Sequence, residues 1–361
     1  MYIKMTIKDY IDNIVIKEKK IPYFDVLVTK GGKEVFRYFN NATNTATGKE
    51  KLYMYSCSKV ITAVSTMLLV ERGIISLEDE VSKYLPCFND VFLIENGVKV
   101  KPQKAITIKH LLTMSAGLDY LFEEKPAVME EFEKNPNATV IDIVKQLVKY
   151  PLNFEPGTKF KYSLCHDVLG AVIEVASGVK FSDFVEQNIF SPLEMKNSTF
   201  KFDDNGFEPL FLANDGKIIP FPPPEAKWAN DKTYESGGGG LKSTVEDYSK
   251  FLTALAAGKI ISFDTINLMT TDTCMAFEIK NSFTCIQGKD YGYGLGVRVR
   301  KVSTNFGLPV GEFGWDGAAG SYGLVDLKNG VTVTIGMHVR NWPNVFNEHL
   351  KIVEMIYKTI L

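Results

Sequence analysis

The placement of strand-forming patterns along the 361 residues most restricts the fold of this chain. Residues 25–29 and 34–39 form a hairpin pattern around a tight turn at Gly31 and Gly32. Apart from a short strand pattern at 52–55, strand patterns return near the other end, at 291–301, 320–327 and 331–339, while helical periodicity dominates between them. We therefore expect a single antiparallel sheet assembled from both ends of the chain.

Helical periodicity at 10–20 and 346–360 supplies helices to cover this sheet. The predicted fold class is α+β: an antiparallel sheet from both chain ends, flanked by N- and C-terminal helices, with a mostly helical inserted domain. We place the sheet domain at 1–87 and 233–361 and the helical domain at 88–232. The active site is predicted in the cleft between them.

Composition excludes several functional classes. The chain is 45% hydrophobic with a formal net charge of −2, and no basic stripe is present. Nucleic acid and anionic membrane surfaces are therefore not expected as partners. The N-terminal segment lacks a continuous apolar stretch, and residues 60–70 are too few to cross a bilayer, so we predict a cytoplasmic protein. The four histidines lack metal-ligand spacing, and we expect no metal and no cofactor.

The first candidate for chemistry is the segment from Ser56 to Lys59. It follows a strand pattern at 52–55 and begins a long apolar helix, so the two residues share one helical face. Helix N-termini favour developing negative charge, and a buried neutral lysine can accept a serine proton. The alternative is an N-cap serine followed by an unrelated lysine. Ser58 does not share a face with Lys59 and is set aside.

Two further segments complete a possible site. Tyr162 follows a Pro-Gly turn, and its phenol can act as a general acid or base; an ordinary half-buried tyrosine is the alternative. Small residues from Gly314 to Ser321 allow substrate to approach the backbone, where an N–H can join that of Ser56 in an oxyanion hole. A glycine-rich turn is the alternative there. The proline-rich segment around Phe221 and Trp228 is predicted to shape the acyl pocket.

In order, S-x-x-K, Y-S-L and W-x-G resemble the motifs of the serine β-lactamase and penicillin-binding-protein superfamily. The closest branch is the class C β-lactamase-like hydrolases, including esterases, with the β-lactamase/D,D-peptidase-like fold. The resemblance implies that Ser56 is acylated and that Lys59 is its proton partner. It implies that Tyr162 activates Ser56 and later the deacylating water. It also implies that the amides of Ser56 and Ala318 bind the oxyanion.

Two departures from the class C pattern bear on the substrate. Leu164 stands where those enzymes have an asparagine, and Trp315 stands where they have the lysine of Lys-Thr-Gly. We predict that Trp315, Gly317 and Leu164 contact the substrate. Because both polar anchors are missing, we expect a small uncharged acyl ester. The missing lysine leaves open whether Lys59 or Tyr162 is the ground-state base.

Several rival functions remain open at this stage. The same chemistry serves a β-lactamase, a D-amino-acid peptidase or an acyltransferase. A Ser-His-Asp hydrolase using Ser321 in an A-x-S-x-G motif needs a strand-turn-helix context, which the strand pattern after Ser321 disfavours. A non-catalytic ligand-binding or sensor domain is the alternative outside enzymology. The sequence carries no signal of oligomeric state.

Overall fold

The computed structural model describes residues 5–120, 125–221, 231–271, 273, 290–343 and 345–359. Strands occupy short segments at both ends and a few in the middle. They are β1 (Tyr23–Lys30), β2 (Lys33–Asn41), β3 (Leu52–Tyr53), β4 (Leu93–Glu95), β5 (Val98–Val100), β6 (Phe211–Asn214), β7 (Lys217–Pro220), β8 (Lys242–Ser243), β9 (Tyr291–Tyr293), β10 (Arg298–Arg300), β11 (Phe313–Asp316), β12 (Tyr322–Asp326), β13 (Val331–Gly336) and β14 (Val339–Arg340).

A seven-stranded antiparallel sheet forms the centre of the fold, in the order β2-β1-β13-β12-β11-β10-β9. Strand β1 lies between its hairpin partner and β13, with Asp25 opposite Gly336 and Lys30 opposite Val331. The two ends of the chain thus meet in adjacent strands. The prediction of one antiparallel sheet built from both ends is confirmed.

The helices surround this sheet. The α-helices are α1 (Ile7–Asp9), α2 (Ser58–Glu71), α3 (Ile108–Leu112), α4 (Pro126–Lys134), α5 (Val140–Leu147), α6 (Cys165–Ser177), α7 (Phe181–Val185), α8 (Val245–Ala256), α9 (Phe263–Met269) and α10 (Val345–Thr359). π-Helical segments span Tyr10–Glu18 and Glu186–Phe190, and 3-10 turns span Tyr55–Cys57, Val81–Lys83 and Pro86–Asp90. None of the helices within the described ranges is both long and apolar enough to span a bilayer.

Alternation along the strands divides the core into two layers, because successive side chains point to opposite faces. Val26 and Val28 pack with residues of the first and last helices, including Ile11 and Ile352. Leu27 faces the other way, into a larger cluster that contains the buried helix α2. This second layer carries α2 and hence the residues from Ser56 to Lys59.

The predicted domain boundaries stay a prediction, and two features cross them. The larger apolar cluster takes side chains from both 1–87 and 88–232 without a break. Strand β6, in the predicted helical block, pairs in parallel with β14. Residues 88–232 also contain the β4–β5 hairpin beside their helices.

Three predicted elements differ in detail from the structure, one of them the strand predicted at 331–339, which ends as β13 at Gly336, while Val339 begins β14 in another sheet. The strand predicted at 291–301 is divided into β9 and β10, because Gly296 has a φ of +82° and lies against α2. A Cβ on Gly296 would overlap Ala63 and lie 3.0 Å from His166 Nε2. The helix predicted from Ser56 begins instead with the 3-10 turn Tyr55–Cys57, and α-helical geometry starts at Ser58.

Candidate active site

Two contacts fix the backbone before Ser56, one from a neighbouring strand and one from a histidine side chain. Strand β3 pairs with β8, and the Tyr53 N–H donates to His338 Nε2 at 3.0 Å. Burial lowers the pKa of His338 to about 4, so this imidazole is neutral and can accept. Tyr55 then adopts a φ of +44°, a conformation that side chains larger than glycine rarely hold. This turn places Ser56, half-buried, at the first turn before α2.

Lys59 lies one helical turn after Ser56 and is 0% exposed. Its Nζ donates to Ser56 Oγ at 3.1 Å and to the Gly238 carbonyl oxygen at 2.5 Å. The same Nζ lies 4.7 Å from the ring centroid of Tyr162 and 5.3 Å from that of Tyr120. The amine is therefore held against Ser56 Oγ by a carbonyl and two ring faces.

Tyr162 reaches the same oxygen from the extended segment that precedes α6. Its hydroxyl donates to Ser56 Oγ at 2.7 Å, and its side chain is 6% exposed. The indole Nε1 of Trp315 donates to the Tyr162 oxygen at 3.3 Å, with the rings stacked 5.7 Å apart. A neutral N–H dipole thus faces the phenol from the position where class C enzymes carry a lysine.

Tyr120 is a neighbour of this site that sequence reasoning missed. Its ring stacks on Tyr162 at 5.5 Å with the planes nearly parallel. Burial and the charge of Asp167 raise the pKa of Tyr120, while a hydrogen bond with Ser56 opposes that shift. The position follows Gly117 and Leu118, but no spacing rule links it to Ser56.

The Gly317–Gly320 turn lies against the segment that carries Ser56. A Cβ on Gly317 would overlap the Met54 carbonyl oxygen, so only glycine fits there. The Gly317 N–H donates to Ser321 O at 2.7 Å and closes the turn between β11 and β12. Ala318 at its tip is exposed, and its N–H donates to no backbone or side-chain acceptor in the described part of the chain. That N–H is available to a bound ligand.

Asp316 ties this turn to distant parts of the chain. Its carboxylate accepts from Arg298 Nη1 at 2.6 Å and lies 3.2 Å from His349 Nδ1. The other ring nitrogen of His349 lies 3.0 Å from the Gly320 carbonyl oxygen. Both His349 and Arg298 are fully buried, so the turn rests on a polar contact with α10.

Two other residues considered in the sequence analysis, Leu164 and Ser58, are buried beside this centre. Leu164 is buried at the start of α6 and packs in the larger apolar cluster, so its side chain does not line an open surface. Ser58 Oγ donates to Tyr55 O at 2.5 Å and accepts from Leu241 N at 2.9 Å, which gives it a structural role. The structure unites Ser56, Lys59, Tyr162 and Trp315, with Gly317 and Ala318 in the adjoining turn.

The Ser321 alternative does not fit this geometry. Ser321 lies between a turn and strand β12, not between a strand and a helix. Its Oγ is fully buried and has no hydrogen-bond partner among the residues described. A nucleophile elbow needs an exposed hydroxyl at a strand-to-helix turn. Trp228 of the predicted acyl pocket lies outside the described residues.

The chain is similar to known proteins over most of its length. Esterase EstB of Burkholderia gladioli is 25% identical over 358 residues, covering 91% of this chain and 88% of that protein. The ML-236A carboxylate methylbutanoyltransferase mlcH of Penicillium citrinum is 27% identical, covering 71% and 64%. The structure of EstCE1, a hydrolase with promiscuous acyltransferase activity, superposes with a TM-score of 0.81 at 23% identity, covering 97% and 98%.

The match to the family itself is extensive. The profile of the Beta-lactamase family matches residues 7–351, almost the whole chain. The predicted superfamily, its mixed fold with a large antiparallel sheet and the class of serine hydrolase are confirmed. This chain, with its serine, lysine and tyrosine in mutual contact, belongs to the beta-lactamase family.

Proposed function

We propose that this serine hydrolase cleaves small uncharged acyl esters through an acyl-enzyme on Ser56. The observation that carries the proposal is the double contact on Ser56 Oγ, from Lys59 Nζ at 3.1 Å and from the Tyr162 hydroxyl at 2.7 Å. Two groups that exchange protons thus flank one half-buried hydroxyl. A purely structural serine has no need of both.

In the first half-reaction Ser56 Oγ bonds to the acyl carbon, and its proton passes to the Lys59–Tyr162 pair. The carbonyl oxygen becomes an oxyanion, for which we propose the amides of Ser56 and Ala318 as donors. The ester C–O bond then breaks, and the leaving alcohol takes the proton from the pair. In the second half-reaction water bonds to the acyl carbon and gives a proton to the pair. The bond between the acyl carbon and Ser56 Oγ then breaks, the acid leaves, and Ser56 Oγ takes a proton back from the pair.

The substrate class rests on what surrounds this centre. Trp315 is a neutral donor committed to Tyr162, and the buried Leu164 offers no hydrogen bond. We therefore propose Gly317 and its turn as the wall beside the scissile carbonyl, with the buried Trp315 and Leu164, each 1% exposed, supporting it from the apolar cluster. The esterase EstB, similar over most of its length, agrees with an ester substrate.

The test compares the wild-type enzyme on p-nitrophenyl butyrate and on nitrocefin. We expect a higher kcat/KM for the ester, and Ser56→Ala should lose both turnover and labelling by a fluorophosphonate. Ser58→Ala is the matched control because its hydroxyl is two residues away and structural. A clear preference for nitrocefin, or a labelled peptide without Ser56, would contradict the proposal. Product analysis with added alcohols or D-amino-acid amides separates hydrolysis from acyl transfer and peptidase activity.

A further inference from the structure

Asp167 is a buried carboxylate in the first turn of α6, directly behind the candidate site. Its side chain is 1% exposed. The Tyr234 hydroxyl donates to Oδ1 at 2.8 Å and the Ser236 hydroxyl donates to the same oxygen at 2.6 Å. Its Oδ2 is buried and accepts no hydrogen bond from the residues described. A buried carboxylate is costly unless another charge or donor compensates it.

The free oxygen of Asp167 faces Lys59 across a glycine. A Cβ placed on Gly238 would overlap Asp167 Oδ2 and would lie 3.4 Å from Lys59 Nζ. The carbonyl of the same glycine accepts from Lys59 Nζ at 2.5 Å. Carboxylate and amine are thus within the roughly 4–6 Å over which an opposite charge favours the charged form of its neighbour.

The other titratable groups around Lys59 do not supply this negative charge at neutral pH. Burial, and next the charge of Lys59, hold the pKa of His166 well below its usual value. Burial raises the pKa values of the Cys57 and Cys165 thiols, and burial likewise raises that of Tyr120. Tyr162 is the reacting phenol itself. Asp167 is the carboxylate that the described part of the chain places beside Lys59, across Gly238.

We infer that Asp167 is a positioning residue whose charge favours the ammonium form of Lys59, so that in the reacting enzyme it is the Tyr162 oxygen that is free to accept the Ser56 proton. The inference rests on the proposed function, because it assigns a role in preparing Ser56 for attack. Asp167 touches neither Ser56 nor substrate and acts only through Lys59. Its removal therefore makes Lys59 lose its proton at a lower pH.

The experiment measures the rate of fluorophosphonate labelling of Ser56 between pH 5 and 10 for the wild type and Asp167→Asn. Asparagine keeps the shape and the Oδ1 acceptor for Tyr234 and Ser236. One limb of the plot of labelling rate against pH should disappear in Lys59→Met, which identifies it with Lys59. In Asp167→Asn we expect this limb to lie about one to three pH units lower than in the wild type. Tyr234→Phe, which removes one hydroxyl donor but leaves the carboxylate, should leave that limb within about half a unit of its wild-type position. In Asp167→Glu, which keeps a carboxylate, the limb should return most of the way to its wild-type position.

A lower labelling rate in Asp167→Asn with an unmoved limb would show a merely structural role and overturn the inference. Should Asp167→Asn not fold, NMR of the wild-type enzyme with 13C-labelled lysine measures the charge of Lys59 directly. The Lys59 resonance, assigned by its loss in Lys59→Met, should show the charged form at pH 7; a neutral form overturns the inference. Failure of the proposed function is distinct, because the wild type would then not be labelled on Ser56 at all.

Discussion

Two lysines of this protein are buried to nearly the same degree in different electrostatic surroundings. Lys59 is 0% exposed and Lys242 is 1% exposed. Each Nζ donates to a backbone carbonyl, that of Gly238 for Lys59 and that of Phe200, at 3.1 Å, for Lys242. Lys59 additionally meets Ser56 Oγ and faces Asp167 across Gly238, whereas Lys242 lies in β8 beside the strand that precedes Ser56.

The difference shows what burial does to an amine when desolvation outweighs the charges around it. Burial lowers the pKa of Lys242 to about 7, against the weaker opposing charges of Asp203, Glu235 and Asp231. For Lys59, the inferred compensation comes from Asp167 across Gly238. Burial alone therefore identifies neither a catalytic lysine nor its charge; the contacts with a nucleophile and a counter-charge do.

The largest expected effect separates the two lysines by activity. Lys59→Met should lower kcat/KM for p-nitrophenyl butyrate by about 10²–10⁴-fold, because Ser56 loses one of its proton partners. Lys242→Met should change it by less than about threefold. Steady-state kinetics, with circular dichroism to show that both variants fold, measure the contrast. Equal losses in the two variants would mean that contact with Ser56 is not what distinguishes them.

A second effect separates the two lysines by stability. The folded pKa of Lys242 is about 7 and the value for an exposed lysine is 10.5, so between these pH values the unfolded state binds more protons. The free energy of unfolding should therefore rise from pH 7 toward pH 10, by on the order of a few kcal/mol from this group. Urea unfolding at pH 7 and pH 9.5 measures it. Lys242→Met should remove most of the rise, and a variant that keeps the whole rise would refute the assignment.

The smallest effect concerns the neutral donor on Tyr162. Trp315→Phe keeps an aromatic ring for stacking but removes the N–H that donates to the Tyr162 oxygen, so we expect about a tenfold lower kcat with little change in KM. Trp315→Leu, which also removes the stacked ring, is the comparison and should lose more. Single-turnover acylation kinetics give the readout. An unchanged rate in Trp315→Phe would show that the indole N–H does not matter to the phenol.

The parts of the site that could be predicted from sequence are those fixed by short-range geometry or by ordered motifs. Ser56 and Lys59 lie one turn apart, so helical spacing alone predicts their contact. The Pro-Gly turn makes Tyr162 a candidate, but only the resemblance pairs it with Ser56, because nothing local ties residue 162 to residue 56. The positions of the strand patterns predict the two-ended sheet, although the strands predicted at 291–301 and 331–339 are each divided in the structure.

The remainder depends on tertiary contacts that leave no local pattern. The positive φ of Tyr55 places Ser56 in a 3-10 turn, although tyrosine is not a residue that favours such a conformation. Tyr120 reaches the site by stacking on Tyr162, and His349 supports the Gly317–Gly320 turn from the far end of the sequence. Gly296 interrupts a predicted strand because α2 packs against it. In each case the partner lies in another element.

The pairing of β1 with β13 has a consequence for synthesis. The Thr29 hydroxyl meets that of Thr332 at 2.8 Å, between residues 303 positions apart. The β1–β2 hairpin leaves the ribosome early. The edge of β1 that pairs with β13 therefore stays exposed until β13 has been translated. Exposed strand edges favour wrong pairing, and such distant contacts form slowly. The newly made enzyme should therefore need chaperone protection during translation more than a protein whose sheet grows strand by strand.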